Sequence, residues 1–118
     1  MDLTKLAPYI EVEQALARLI GNEELLMTIL GLMLDDFRSE KDTFAELIKK
    51  GSIKEVADKA HYYKGIAANL SVVNVLEITQ GIELDSLKER WPEVETSFQE
   101  LCIEMEGLDK VFQELKSS

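Results

Sequence analysis

Cysteine, proline and histidine are nearly missing from this 118-residue chain, which holds one, two and one of them. Cys102 has no second cysteine to meet, so an intrachain disulfide and a multi-thiolate metal site are both excluded, and a reducing, cytoplasmic setting is expected. Two prolines and six glycines leave little room for linkers. Residues 1–118 are therefore expected to fold as one domain, large enough for a single hydrophobic core and too small for a multidomain enzyme. Positive charge is scarce as well: thirteen basic against twenty-three acidic residues give a net charge of -10. Such a chain repels phosphate backbones and anionic lipid surfaces, so neither nucleic acid nor membrane is expected as a partner. The longest apolar stretch, Leu25 to Leu34, is interrupted by Thr28 and Gly31 and falls far short of the roughly 20 residues that a membrane span needs. Met1-Asp2-Leu3-Thr4 lacks the basic and apolar regions of a signal peptide, and no export is expected.

What is present is a helical pattern, with no convincing alternation over strand length. After an apolar entry at Leu3, Leu6, Tyr9 and Ile10, a short helix over 12–20 places Val12, Leu16, Leu19 and Ile20 on one side and stops at Gly21-Asn22. A long helix from Glu23 to about Lys50 ends behind Lys49-Lys50 at Gly51. Its first half is apolar on more than one face, the surplus being covered either by the preceding short helix or by a docking partner. Ser52 and Glu55 form Ser-x-x-Glu, the pattern of a capping box, ahead of a helix running to about Leu70. Ile53, Val56, Ala60, Tyr63, Ala67 and Leu70 draw its core stripe. A further helix spans about Val72 to Glu89, and Pro92 at a first helical position launches the last one, with Val94, Phe98, Leu101, Met105, Leu108, Phe112 and Leu115 in steps of four and three. Four substantial amphipathic helices joined by short turns predict an all-α, antiparallel four-helix bundle with a short additional N-terminal helix. A complete bundle without a long heptad overhang favours a monomer.

The one histidine, His61, lies in Ala60-His61-Tyr62-Tyr63-Lys64-Gly65-Ile66-Ala67-Ala68. At about 100° per residue it points about 130° away from the core stripe of its helix, toward solvent. Lys54, Ala57, Asp58, Lys64, Gly65 and Ala68 share that face. Three of these six have almost no side chain, which leaves room for a partner. Glycine in a helix interior costs about 1 kcal/mol relative to alanine, and Gly65 points away from the core, so clearance explains it better than packing. Imidazole is about half charged near pH 6.5, so at neutral pH it offers a nitrogen lone pair as a nucleophile for a phosphoryl group. Lys64 and Lys54 bring positive charge that could offset that group. The chain has no phosphate-cradling Gly-x-x-x-x-Gly-Lys-Ser/Thr loop, so the metal and the donor or acceptor carboxylate must come from a partner. Taken singly, each residue also reads as ordinary helix surface.

Ala60-His61-x-x-Lys64-Gly65-x-Ala67 resembles the signature of histidine-containing phosphotransfer domains: His, any residue, an apolar residue, Lys, Gly. The entry segment Ile10 to Leu25, the length and the helix order are similar too. The resemblance implies a phosphorelay intermediate in which His61 accepts a phosphoryl group from a receiver-domain aspartate and passes it to another receiver. A response-regulator receiver domain and a hybrid sensor histidine kinase are the implied partners. The carrier would have no kinase or ATPase activity and no cofactor of its own, Mg²⁺ belonging to the receiver. Lys64 would assist the phosphoryl group, Gly65 would give access, and a polar residue on the next helix would bind the other ring nitrogen. Spacing gives that last role to Glu83, which reads equally well as a solvated helix charge. Lys54, Ala57, Asp58 and Ala68 would line the docking face.

The chain departs from the pattern at Tyr63, where the ring can pack while the hydroxyl reaches the surface, and at Ser71, where a glycine is usual. Serine does not take a left-handed turn cheaply, so Ser71 is expected to cap the following helix instead. The competing reading is a helical adaptor or inhibitor that binds a signalling protein through the same face without phosphorylation. A carboxylate-bridged metal bundle would need two Glu-x-x-His pairs, and one histidine rules it out.

Overall fold

The computed structural model describes residues 1–117. All regular structure among them is helical: a 3-10 turn at Leu3–Leu6, then α1 (Val12–Arg18), α2 (Glu23–Lys50), α3 (Ile53–Leu70), α4 (Val73–Leu87) and α5 (Trp91–Ser117). Around the core, α2, α3, α4 and α5 close a ring in which each helix packs on the next and the backbones of diagonal partners stay apart. The short α1 lies mainly on α3 and also touches α2, while the 3-10 turn docks on α5.

Local chemistry explains the element limits. Asn22 caps α2 by accepting a hydrogen bond from the Leu25 amide at 2.9 Å, with Glu23 and Glu24 in the first turn and Lys49 and Lys50 in the last. Gly51 then takes a left-handed conformation with φ 69°. The Gly51 amide donates to the Ile48 carbonyl and the Ser52 amide to the Leu47 carbonyl, the paired bonds of a Schellman turn. That pairing undoes the expected capping box. The Ser52 N–H that Glu55 would accept is already committed to Leu47, and the Ser52 side chain makes no cap bond.

Four further expectations are corrected. Ser71 does not cap α4; it occupies the left-handed position that closes α3, with φ 54°. Its hydroxyl accepts a hydrogen bond from Arg18, which also donates to the Ala68 carbonyl at 2.9 Å, and its own carbonyl accepts from the Glu11 amide at 2.9 Å. Contacts from the N-terminal segment thus offset the roughly 1–2 kcal/mol that an L-residue gives up there. Ile20 does not join the buried side of α1: that helix ends two residues earlier, and Ile20, with φ 56°, is 94% exposed. Pro92 is the second residue of α5, behind Trp91, and α4 stops short of Glu89, whose φ is 56°.

The apolar surplus of α2 is divided. Leu26, Met27, Leu30, Met33 and Leu34 are buried, whereas Leu25 and Leu32 are exposed. Part of the cover comes from α5: a Cβ on Gly31 would stand 2.9 Å from Phe112 Cζ, so the glycine admits that ring. Gly107 likewise makes room for the Tyr9 hydroxyl. Farther along, Tyr63 sits edge-on to Phe37 at 5.6 Å and stacked with Phe44 at 6.4 Å between ring centroids. It is buried, and it anchors α3 two residues beyond His61.

Burial, reinforced by Asp36 and Glu40, pushes the Tyr63 phenol well above its ordinary range. The unfolded chain therefore releases this proton at lower pH than the folded one does. Stability is fully present below about pH 10, the ordinary tyrosine value, and declines as pH rises beyond it. Tyr63→Phe keeps the ring and removes the proton, so its urea midpoint should fall less than that of the wild type between pH 9 and pH 11.

Candidate functional site

The packing of α3 decides where His61 points. Val56, Ala60, Tyr63, Ala67 and Leu70 are buried, and this stripe turns the imidazole outward with its side chain 68% exposed. The neighbouring α4 returns along α3 and brings Glu83 to the ring. Glu83 Oε2 lies 3.1 Å from His61 Nδ1, and Oε1 lies 2.5 Å from Lys64 Nζ. The carboxylate is shielded, its side chain 19% exposed, against 28% for Lys64. The bond from Lys64 holds the Glu83 carboxyl below the usual glutamate range, outweighing the opposing effect of burial. Glu83 is therefore ionised at neutral pH.

This fixes the tautomer. An ionised carboxylate only accepts hydrogen bonds, so Nδ1 must donate and carry the proton. In the neutral ring, Nε2 then holds the free lone pair. A carboxylate behind Nδ1 also makes Nε2 a better electron-pair donor, as carboxylates do for metal-binding histidines.

Around the ring, the structure sorts the expected residues. Gly65 is exposed, and a Cβ built there meets nothing within 4 Å. Ala68 and Asp58 are exposed on the same side. Ala57 is not: at 8% exposure it belongs to the core, because α3 packs against α1, α2 and α4 and its buried arc is wider than one stripe. Nor is Lys54 held for His61. Its ammonium pairs with Asp58 at 2.8 Å, so its charge is already offset. Lys64 is near the ring but bound to Glu83.

Two features of this region escaped the sequence reading. Tyr62, half exposed beside His61, donates its hydroxyl to Asp36 of α2. On α4, Leu84 and Leu87 stand exposed one and four residues beyond Glu83. The signal for the second lay in the sequence: Val73, Val75, Leu76, Ile78, Ile82, Leu84 and Leu87 circle the helix instead of forming one stripe. Among the described residues, no three His, Cys, Asp or Glu side chains are grouped to hold a metal ion, and no helix is long and apolar enough to cross a membrane. No protein-family model, curated protein or solved structure matches this chain.

Gly81 on α4, half-buried where Gly65 is exposed, likewise has nothing within 4 Å of an added Cβ and supplies an internal control. Alanine at either position should raise stability by up to about 1 kcal/mol, measured by urea unfolding. A drop in stability for Gly65→Ala alone would mean that packing, not clearance, keeps that glycine.

Proposed function

We propose that the chain is a histidine phosphotransfer domain: one domain, built as an antiparallel four-helix bundle with a short additional N-terminal helix, that carries a phosphoryl group on His61 between receiver domains. The observation that carries this reading is the Glu83 bridge. One carboxylate binds Nδ1 of an exposed imidazole and the ammonium of Lys64, the opposite nitrogen is left for chemistry, and Gly65 on the next turn leaves open space where a side chain would stand. A solvated charge at position 83 would need neither contact. A docking face alone would need no nucleophile.

In the forward step the Nε2 lone pair attacks phosphorus of the receiver's aspartyl phosphate. The N–P bond forms as the P–O bond breaks, and its electron pair leaves with the aspartate carboxylate. Onward transfer reverses these events on a second receiver. Mg²⁺ and the aspartate belong to the receiver, which neutralises the charge of the transferring group. This chain supplies the nucleophile, its orientation, the clearance and Lys64, whose ammonium lies one helical turn from the ring and can exchange Glu83 for a phosphoryl oxygen. A hybrid sensor histidine kinase and a response regulator are the partner classes that this chemistry requires. A cytoplasmic monomer fits the net charge of -10 and the lone cysteine. Leu84 and Leu87 provide apolar contact surface beside the site, and they would serve the adaptor reading as well.

The deciding experiment mixes the purified chain with a phosphorylated receiver and Mg²⁺ and follows acid-labile, base-stable phosphate. Wild type should become labelled, and His61→Gln should stay at background. Lys64→Met should transfer roughly tenfold more slowly, the size expected for one charge-assisted hydrogen bond. Receiver binding without labelling, across several kinases' receivers, would establish the adaptor instead.

A further inference from the structure

Phosphorylation changes what the second ring nitrogen must do, and the structure bears on that step. This inference rests on the phosphotransfer reading of His61. Once phosphorus is bound to Nε2, onward transfer breaks the N–P bond and returns its electron pair to the ring. If Nδ1 has lost its proton, the departing group is an imidazolate anion, a poor leaving group. If Nδ1 keeps it, a neutral imidazole departs. We propose that Glu83 keeps the proton on Nδ1 through the whole cycle, so that the phosphorylated ring is a cation balanced by its carboxylate partner and remains a ready phosphoryl donor above neutral pH.

Geometry supports this. Glu83 Oε2 is already 3.1 Å from Nδ1, on the side of the ring opposite the nitrogen that reacts, so the contact need not break when the phosphoryl group arrives. The carboxylate is shielded from solvent, which strengthens its hold on a neighbouring positive charge. Its second oxygen is on Lys64. Movement of Lys64 onto the phosphoryl group would leave the carboxylate facing the ring alone, when the ring first carries a full positive charge.

Few other charges face the ring. Lys64 and Asp58 share its helix, and Lys54 is tied to Asp58. From α2, Asp36 is bound by the Tyr62 hydroxyl and Glu40 by Lys59. From α1, Arg18 is bound at the carbonyl end of α3. Glu83 is thus the one carboxylate in contact with the imidazole among the described residues. Its role is positioning and charge balance; it does not touch the phosphoryl group.

The test exploits the single histidine, which gives one set of imidazole ¹⁵N signals. Phosphoramidate, a small phosphoryl donor, would load His61 without a receiver: Nε2 attacks phosphorus, the P–N bond breaks and ammonia leaves. The ¹⁵N shifts of the phosphorylated ring are then followed from pH 5 to pH 10 in wild type, Glu83→Gln and Lys64→Met. Glutamine keeps the shape and a hydrogen-bonding oxygen but not the charge. Loss of the Nδ1 proton should occur about one pH unit or more lower in Glu83→Gln and at higher pH in Lys64→Met. Onward transfer to a receiver, measured on the same samples, should fail over the same displaced range. Superimposable titrations of wild type and Glu83→Gln would overturn the proposal. Displaced titrations with no transfer to any receiver would uphold the role of Glu83 and sink the relay reading, so the two fail separately.

Discussion

Everything at the candidate site depends on how α3 is rotated, and burial of Val56, Ala60, Tyr63, Ala67 and Leu70 sets that rotation. Two of those five residues are alanines, which let the neighbouring helices come close, and one is a tyrosine too large to be turned out without opening the aromatic cluster with Phe37, Phe44 and Phe98. With the stripe fixed, the opposite arc is fixed too. His61 has no choice of direction, and the closeness of α3 to α4 puts Glu83 within hydrogen-bonding distance of it. A core-packing decision is thereby converted into a choice of tautomer.

The same economy governs charge. On a protein of net charge -10, the cations around α3 are mostly committed: Lys54 to Asp58, Lys59 to Glu40, Lys64 to Glu83. The first pair is largely exposed and contributes little. The third is shielded, and it alone is joined to the imidazole through a shared partner. Proximity in sequence gave Lys54 and Lys64 similar standing; the environment separates them.

What was legible in the chain follows from the range of the forces involved. The limits of α2 could be read because caps and left-handed glycine are local chemistry, as Asn22 and Gly51 illustrate. Glu83 was legible only in part: the resemblance implies a polar partner on the next helix and spacing across one tight turn leads to Glu83, while the residue by itself reads as a solvated helix charge. Ala57 was misread because the width of a buried arc depends on how many helices surround it, which no single stripe reveals. Ser71 was misread for a related reason: its left-handed turn is held by Arg18, fifty-three positions away, and nothing near Ser71 announces that support. Ile20 fell outside because a helix of seven residues ended before the periodic pattern did.

That long-range support has a kinetic side. The α3–α4 pair is joined by a tight turn and can form through contacts close in sequence, whereas Arg18 reaches the end of α3 only after a loop of about fifty residues has closed. Loop closure carries an entropy cost that grows with length. The turn at Ser71 therefore gains its side-chain support only once that loop has closed, as does the aromatic cluster that joins Phe44 to Phe98.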